Sequence, residues 1–250
     1  RLPRIGDDPA DAPPAPAADA PPIRLQDPDA PAWRRFGRPF EAAGDLPLFA
    51  IVLIDGAGEA AMLPFEDVPV TIAVDPARPD AAQTATVWRA AGQEVLALST
   101  VLPPGSGTAE AEVALEALGQ ALPESIGVME APAAGFDRAA ANALAPGLAP
   151  RGLALLTWDR GLNPADQVAR RESVPAARIF RDLDAEGENA ATIRRYLDRA
   201  AFRAQQEGQV IVAGRMRPET LAAIADWLGS QRAAQVTLAP VSAILAQSAP

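Results

Sequence analysis

From Leu48 onward, short apolar runs alternate with segments of helical periodicity. The runs at 49–54, 70–74, 95–98, 126–128, 153–156, 177–180, 210–212 and 235–238 predict strands. Most are continuously apolar, as in parallel strands covered on both faces. The intervening segments carry helix punctuation. Asn163 before Pro164 reads as a cap and first helical residue, and Asp137 is placed to cap 138–144. Over 189–206, Ile193, Tyr196, Leu197 and Ala200 share one face and Gly208 lies just past the end. Pro218 opens a helix holding Leu221, Ile224, Ala225 and Leu228. Strands alternating with helices predict an α/β barrel or a doubly wound sheet, with chemistry in the loops at the carboxyl ends of the strands.

Residues 1–45 follow another pattern. Nine of the 26 prolines fall in the first 31 residues, among alanine and aspartate. Such a stretch favours an extended, solvated, disordered linker. Trp33, Phe36 and Phe40 at its end read as a strap packed on the domain that spans 46–250, or as a partner-docking motif.

Composition narrows the chemistry. The formal net charge is −10, and arginine supplies every cation. A negative surface without basic, aromatic-rich stretches argues against nucleic-acid binding. Cysteine and histidine are both absent. This excludes thiolate sites, Ser-His-Asp triads and every histidine-based zinc centre. No apolar run is long enough to span a bilayer, so a membrane is expected only through an anchor upstream of Arg1.

Gly56-Ala57-Gly58-Glu59-Ala60-Ala61 fits the G-x-G-x-x-A dinucleotide fingerprint, with Asp75 about 20 residues on. Pro64, Pro69 and the carboxylate of Asp55 oppose a pyrophosphate there, leaving nucleotide binding as an alternative. Other strand boundaries carry Glu94, Glu130, Asp159, Asp182, Asp184 and Arg215. Converging carboxylates would offer an acid/base pair or an oxygen-only metal site; otherwise they are solvated or cap helices. Asp55, delivered by Ile51-Val52-Leu53-Ile54, is expected to face a pocket. Trp158 reads as a core residue or a sugar-stacking platform, and Arg215 with Arg217 as an anion clamp.

Six segments in order resemble the divergent polysaccharide deacetylases. Leu48-Phe49-Ala50-Ile51-Val52-Leu53-Ile54-Asp55-Gly56 is similar to their first strand, which ends in Ile-Asp-Asp. Val68-Pro69-Val70-Thr71-Ile72-Ala73-Val74 looks like their second. Ala91-Gly92-Gln93-Glu94-Val95-Leu96 resembles Ala-Gly-His-Glu-Val-Leu, and Gly127-Val128-Met129-Glu130-Ala131 stands for Gly-Val-Asn-Asn-His. Arg151-Gly152-Leu153-Ala154-Leu155-Leu156 matches an Arg-Gly-Leu strand, and Val210-Ile211-Val212-Ala213-Gly214-Arg215 an Ile-Ala-Ile-Gly-His. The resemblance covers 46–246.

It implies a distorted β/α barrel of NodB type with seven or eight strands, the eighth peripheral, in the periplasm or envelope. In active relatives an Asp and two His hold a divalent metal that hydrolyses an N-acetyl group. Here Asp55 matches the first aspartate, Gly56 replaces the second, and the histidines fall at Gln93, Leu98, Ala131 and Arg215. Thr157-Trp158-Asp159 stands for Asp-Ser-Arg. The resemblance therefore implies a domain without metal or other cofactor. Its cleft, formed from Asp55, Glu94, Glu130, Trp158, Asp159, Arg215 and Arg217, binds peptidoglycan or another glycan, or an envelope partner such as a murein-hydrolase regulator. A carbohydrate deacetylase or hydrolase built on Asp55 and neighbouring carboxylates is the enzymatic alternative.

Overall fold

The computed structural model describes residues 27–248, apart from 28, 43, 57–62, 66, 103–104, 133–135, 137 and 162. Most of the proline-rich segment, the greater part of the glycine fingerprint and Asp137 lie outside the described residues. In chain order the elements are α1 (Ala32–Arg35), β1 (Leu48–Ile54), β2 (Val70–Val74), α2 (Ala81–Ala90), β3 (Glu94–Leu98) and α3 (Thr108–Ala121). Next come β4 (Gly127–Met129), α4 (Arg138–Arg151), β5 (Ala154–Trp158), α5 (Pro164–Arg171), β6 (Ala176–Ile179) and β7 (Arg181–Asp182). The chain continues through α6 (Ala190–Glu207), β8 (Gln209–Arg215), α7 (Pro218–Leu228), β9 (Thr237–Leu238) and α8 (Val241–Ser248).

Every strand pairing is parallel, in the order β6-β5-β4-β3-β2-β1-β8-β7. β6 runs into β7 across Phe180. β6 pairs with β5 and β7 with β8, so this single run closes a near-complete barrel. The eighth predicted strand is the two-residue β9. It pairs with Leu48 and Phe49 before β2 begins, and so is peripheral to the barrel.

The apolar runs fill two layers. Phe49, Ile51 and Leu53 face the outer helices, where Phe49 meets Trp227 with ring centroids 4.8 Å apart. Ala50, Val52, Leu96, Met129, Leu156, Trp158, Ile211 and Ala213 form the inner cluster. Apolar residues on both faces are thus accounted for by period-two alternation between lumen and helix layer. Asn163 caps α5 by accepting the Asp166 N–H, and Asn189 caps α6 by accepting the Thr192 N–H. α4 runs past the predicted 138–144 through Pro146 and Pro150, held by its packing on α3 and α5.

The base of the barrel, at the amino ends of the strands, is closed by α8 and by the strap. Val241, Ile244, Leu245 and Trp33 join the inner cluster. The Trp33 N–H donates to Gly152 O at 3.0 Å, and Arg89 donates to Phe36 O. Among the described residues, no helix is long and apolar enough to cross a membrane.

Candidate functional site

The carboxyl ends of the strands form the mouth of the barrel. Its centre of charge is Arg215, the last residue of β8. Its Nη1 donates to Asp182 Oδ1 at 3.0 Å and to Asp184 Oδ1 at 2.7 Å. Asp184 is wholly buried and also accepts the Arg215 N–H and, at 2.6 Å, the Thr220 hydroxyl. Burial pushes the Asp182 carboxyl above its ordinary range, and the hydrogen bond and charge of Arg215 oppose that rise. One guanidinium thus bridges two carboxylates that the chain delivers from β7 and the loop after it. Arg217, at the cap position of α7, stands apart from this cluster, with Glu219 3.7 Å away.

Trp158 ends β5 inside the barrel, 4% exposed. Its indole N–H donates to Glu130 O at 3.1 Å, and Arg160 lies 5.3 Å from its ring centroid. Trp158 is therefore a core residue that also borders the cavity beside the mouth. Glu130 is buried beside it. Its carboxylate accepts the Trp158 N–H at 2.9 Å and the Phe136 N–H at 3.3 Å. Burial raises the Glu130 pKa, and those two N–H groups offset part of the rise. The pair ties the top of β4 to the top of β5.

Asp55, expected to face a pocket, is 5% exposed. It continues the odd-numbered positions of β1 that face the helices and is buried against α2. Arg78 Nη1 donates to its Oδ1 at 3.0 Å and Trp88 Nε1 to its Oδ2 at 2.9 Å. Arg78 also holds Asp80 at 2.6 Å. Arg78 and Trp88 were not foreseen as partners. The signal for Arg78 was its place in the loop after β2, the strand beside β1.

Glu94 and Gln93 belong to the opposite end of the molecule. Glu94 is the first residue of β3, so its side chain enters the lumen at the base, fully buried. It accepts the Arg38 N–H (2.7 Å), the Thr71 hydroxyl (3.1 Å), the Ser242 N–H (3.2 Å) and the Ser242 hydroxyl. Gln93 bonds the Val70 N–H and Val68 O. A strand boundary was read correctly, but at the end away from the mouth. Asp159 points outward to Arg178 at 3.2 Å and Arg203 at 3.9 Å. Asp75 accepts the Ala77 N–H and the Thr100 hydroxyl, closing its own turn.

The four carboxylates whose convergence the enzymatic alternative requires, Asp55, Glu94, Glu130 and Asp159, have four separate sets of partners. Among the described residues no three acidic groups are placed to share a cation. The positions matching the family's histidines hold Leu98 and Ala131, both buried, the base residue Gln93, and the clamped Arg215. An added Cβ at Gly56 would meet nothing within 4 Å, so that side of the mouth lacks a ligand rather than space. These residues do not fit a divalent metal. Beside the mouth lies a cavity of about 390 Å³ lined by Arg160, Arg181, Asp182, Glu186, Glu188 and Tyr196, with Arg181 stacked 3.9 Å from the Tyr196 ring centroid.

Comparison with known proteins agrees with this architecture. The family described as "Divergent polysaccharide deacetylase" matches residues 52–245. No curated protein matches. Among solved structures, the uncharacterized protein ATU2773 from Agrobacterium tumefaciens C58 superposes with a TM-score of 0.71 at 21% identity, over 86% of this chain and 95% of that one. The catalytic domain of peptidoglycan N-acetylglucosamine deacetylase from Eubacterium rectale superposes at 0.53 and 11% identity, over 80% and 90%. At these identities both show the shared fold. With the family matched over most of its length, the chain belongs to the divergent polysaccharide deacetylases.

Proposed function

We propose that this domain is a non-catalytic polysaccharide-deacetylase-like module that binds a glycan of the cell envelope, peptidoglycan in the first place. The observation that carries this reading is Arg215. It occupies a family histidine position and is held by Asp182 and Asp184, so a fixed organic cation stands where relatives are expected to place a metal. The cavity beside it supports sugar binding. Arg160, Arg181, Glu186 and Glu188 offer charged hydrogen-bond partners for hydroxyl and amide groups, and Tyr196 adds an aromatic edge.

The test has two arms with the full chain. Incubation with chitooligosaccharides and peptidoglycan, with zinc, manganese or cobalt added, is expected to release no acetate. Co-sedimentation with purified sacculi is expected to retain the protein, and Tyr196→Ala with Glu186→Gln to weaken retention about tenfold, about 1.4 kcal/mol. Metal-dependent acetate release would make the protein an enzyme. Equal failure of wild type and variant to sediment would remove the glycan.

A further inference from the structure

α8 begins without a cap of its own. Ala239-Pro240 precedes Val241, and neither side chain can accept from the first N–H groups of the helix. Two strands supply the acceptors. The Val241 N–H donates to the Thr71 hydroxyl of β2 at 3.2 Å, and the Ser242 N–H to Glu94 Oε2 of β3 at 3.2 Å. The Thr71 hydroxyl in turn donates to Glu94 Oε2 at 3.1 Å, and the Ser242 hydroxyl donates to Glu94 Oε1. The carboxylate thus stands at the positive end of the helix dipole as well as at its free donors.

The strap, residues 31–40, ends on the same group. The Arg38 N–H donates to Glu94 Oε1 at 2.7 Å, and Arg38 Nη1 to Gln93 Oε1 at 3.2 Å. One residue earlier the strap meets α8 itself: a Cβ on Gly37 would stand 2.8 Å from Ser242 Cβ and Oγ. Trp33 of the strap and Val241, Ile244 and Leu245 of α8 are buried in one apolar cluster. Glu94 has no exposed surface, so its carboxylate is met by these donors and not by water. Lifting the strap takes the Arg38 N–H from Oε1 and leaves a buried acceptor short of a donor. The cap of α8 weakens with it, and freeing α8 acts on the strap in the same way, since such a coupling is reciprocal.

We propose that Glu94 is a latch that makes the strap and α8 one opening unit, so that displacing the strap opens the base of the barrel onto its inner apolar cluster. The strands keep their pairing in this step.

Amide hydrogen exchange of the full chain, read by NMR, tests this, because the Arg38 and Ser242 N–H groups themselves report the latch. Gly152→Ala disturbs the strap at its other end, where the new Cβ would stand 2.6 Å from Ala32 N. It is expected to speed exchange at Arg38 and Ser242 together, each at least about tenfold, with the amides of α6 unchanged. Leu245→Ala, made inside α8, is expected to speed the same two amides. In a Glu94→Gln background the responses should part: Gly152→Ala no longer changes exchange at Ser242, and Leu245→Ala no longer changes it at Arg38. A Ser242 amide unmoved by Gly152→Ala, or a joint response that persists with Glu94→Gln, would overturn the latch. If Gly152→Ala loosens α6 as well, the Leu245→Ala arm decides on the same terms.

Discussion

At the scale of single residues, the mouth and the base are governed by buried carboxylates with different partners. Arg215 is 32% exposed, so its charge is partly screened, while Asp184 has no contact with solvent. Arg215→Met leaves Asp182 and Asp184 uncompensated and is expected to cost about 2 kcal/mol near neutrality. With the guanidinium gone, nothing but hydrogen bonding opposes the burial that already raises Asp182. The folded variant then binds a proton more tightly than its unfolded chain, and its stability falls as pH rises. Thermal melts across mild acid to neutral pH should show the gap to wild type widening upward; a gap independent of pH would contradict this. Glu94 obeys the same sign. Burial lifts its carboxyl above the ordinary range against the bonds from Ser242, Arg38 and Thr71. Its stabilising contribution is full below the unfolded value of about 4.3 and is lost as pH rises through the folded one. Glu94→Gln has no such titration, so the wild type's advantage over it should shrink from acid to neutral pH in the same melts.

At the scale of elements, the strap is the piece whose attachment is easiest to break selectively. Trp33 is buried with the inner cluster, and Trp33→Ala should cost about 3 kcal/mol through the cavity it leaves. Gly152 tests the same docking from the other side. It holds φ +63°, and a Cβ there would stand 2.6 Å from Ala32 N and 2.7 Å from Pro31 Cα. Gly152→Ala is therefore expected to lift the strap, seen as faster proteolysis around residues 30–40 and a lower melting temperature, with the helices of the outer layer unchanged by circular dichroism. Strand positions were legible because parallel strands covered on both faces spell continuous apolar runs. β7 was not, since Arg181-Asp182 carries no apolar signal and is a strand only because β8 offers it a ladder. Nor does sequence reveal which way a strand-end residue points. Asp55 and Glu94 both flank apolar runs, but one turns to α2 and the other enters the lumen at the base. Strand direction and pleat decide both outcomes, and the apolar run encodes neither.

At the scale of the whole molecule, the barrel is that of the divergent polysaccharide deacetylases, and the proposed non-catalytic role rests on the side chains at its mouth. A metal centre needs several ligands that converge before the ion arrives, and here the candidates diverge to Arg78 and Trp88, to Ser242, to the Trp158 N–H and to Arg178. Linkage turns that divergence into a measurement. An ion that binds only the folded state stabilises it by about 2.7 kcal/mol at a hundredfold excess over its dissociation constant, or roughly 5–10 °C in a domain of this size. On the proposed reading the full chain is expected to melt at one temperature with zinc, with manganese and with chelator, since among the described residues no three acidic groups are placed to share an ion. Arg215→Ala is the informative companion. It frees Asp182 and Asp184, the two carboxylates that the guanidinium joins at the mouth, and two oxygen donors without a third still make a poor zinc site. An upward shift in the wild type that vanishes in Asp182→Ala would mean that the guanidinium yields its place to a metal, and the mouth would then have to be read as a catalytic centre.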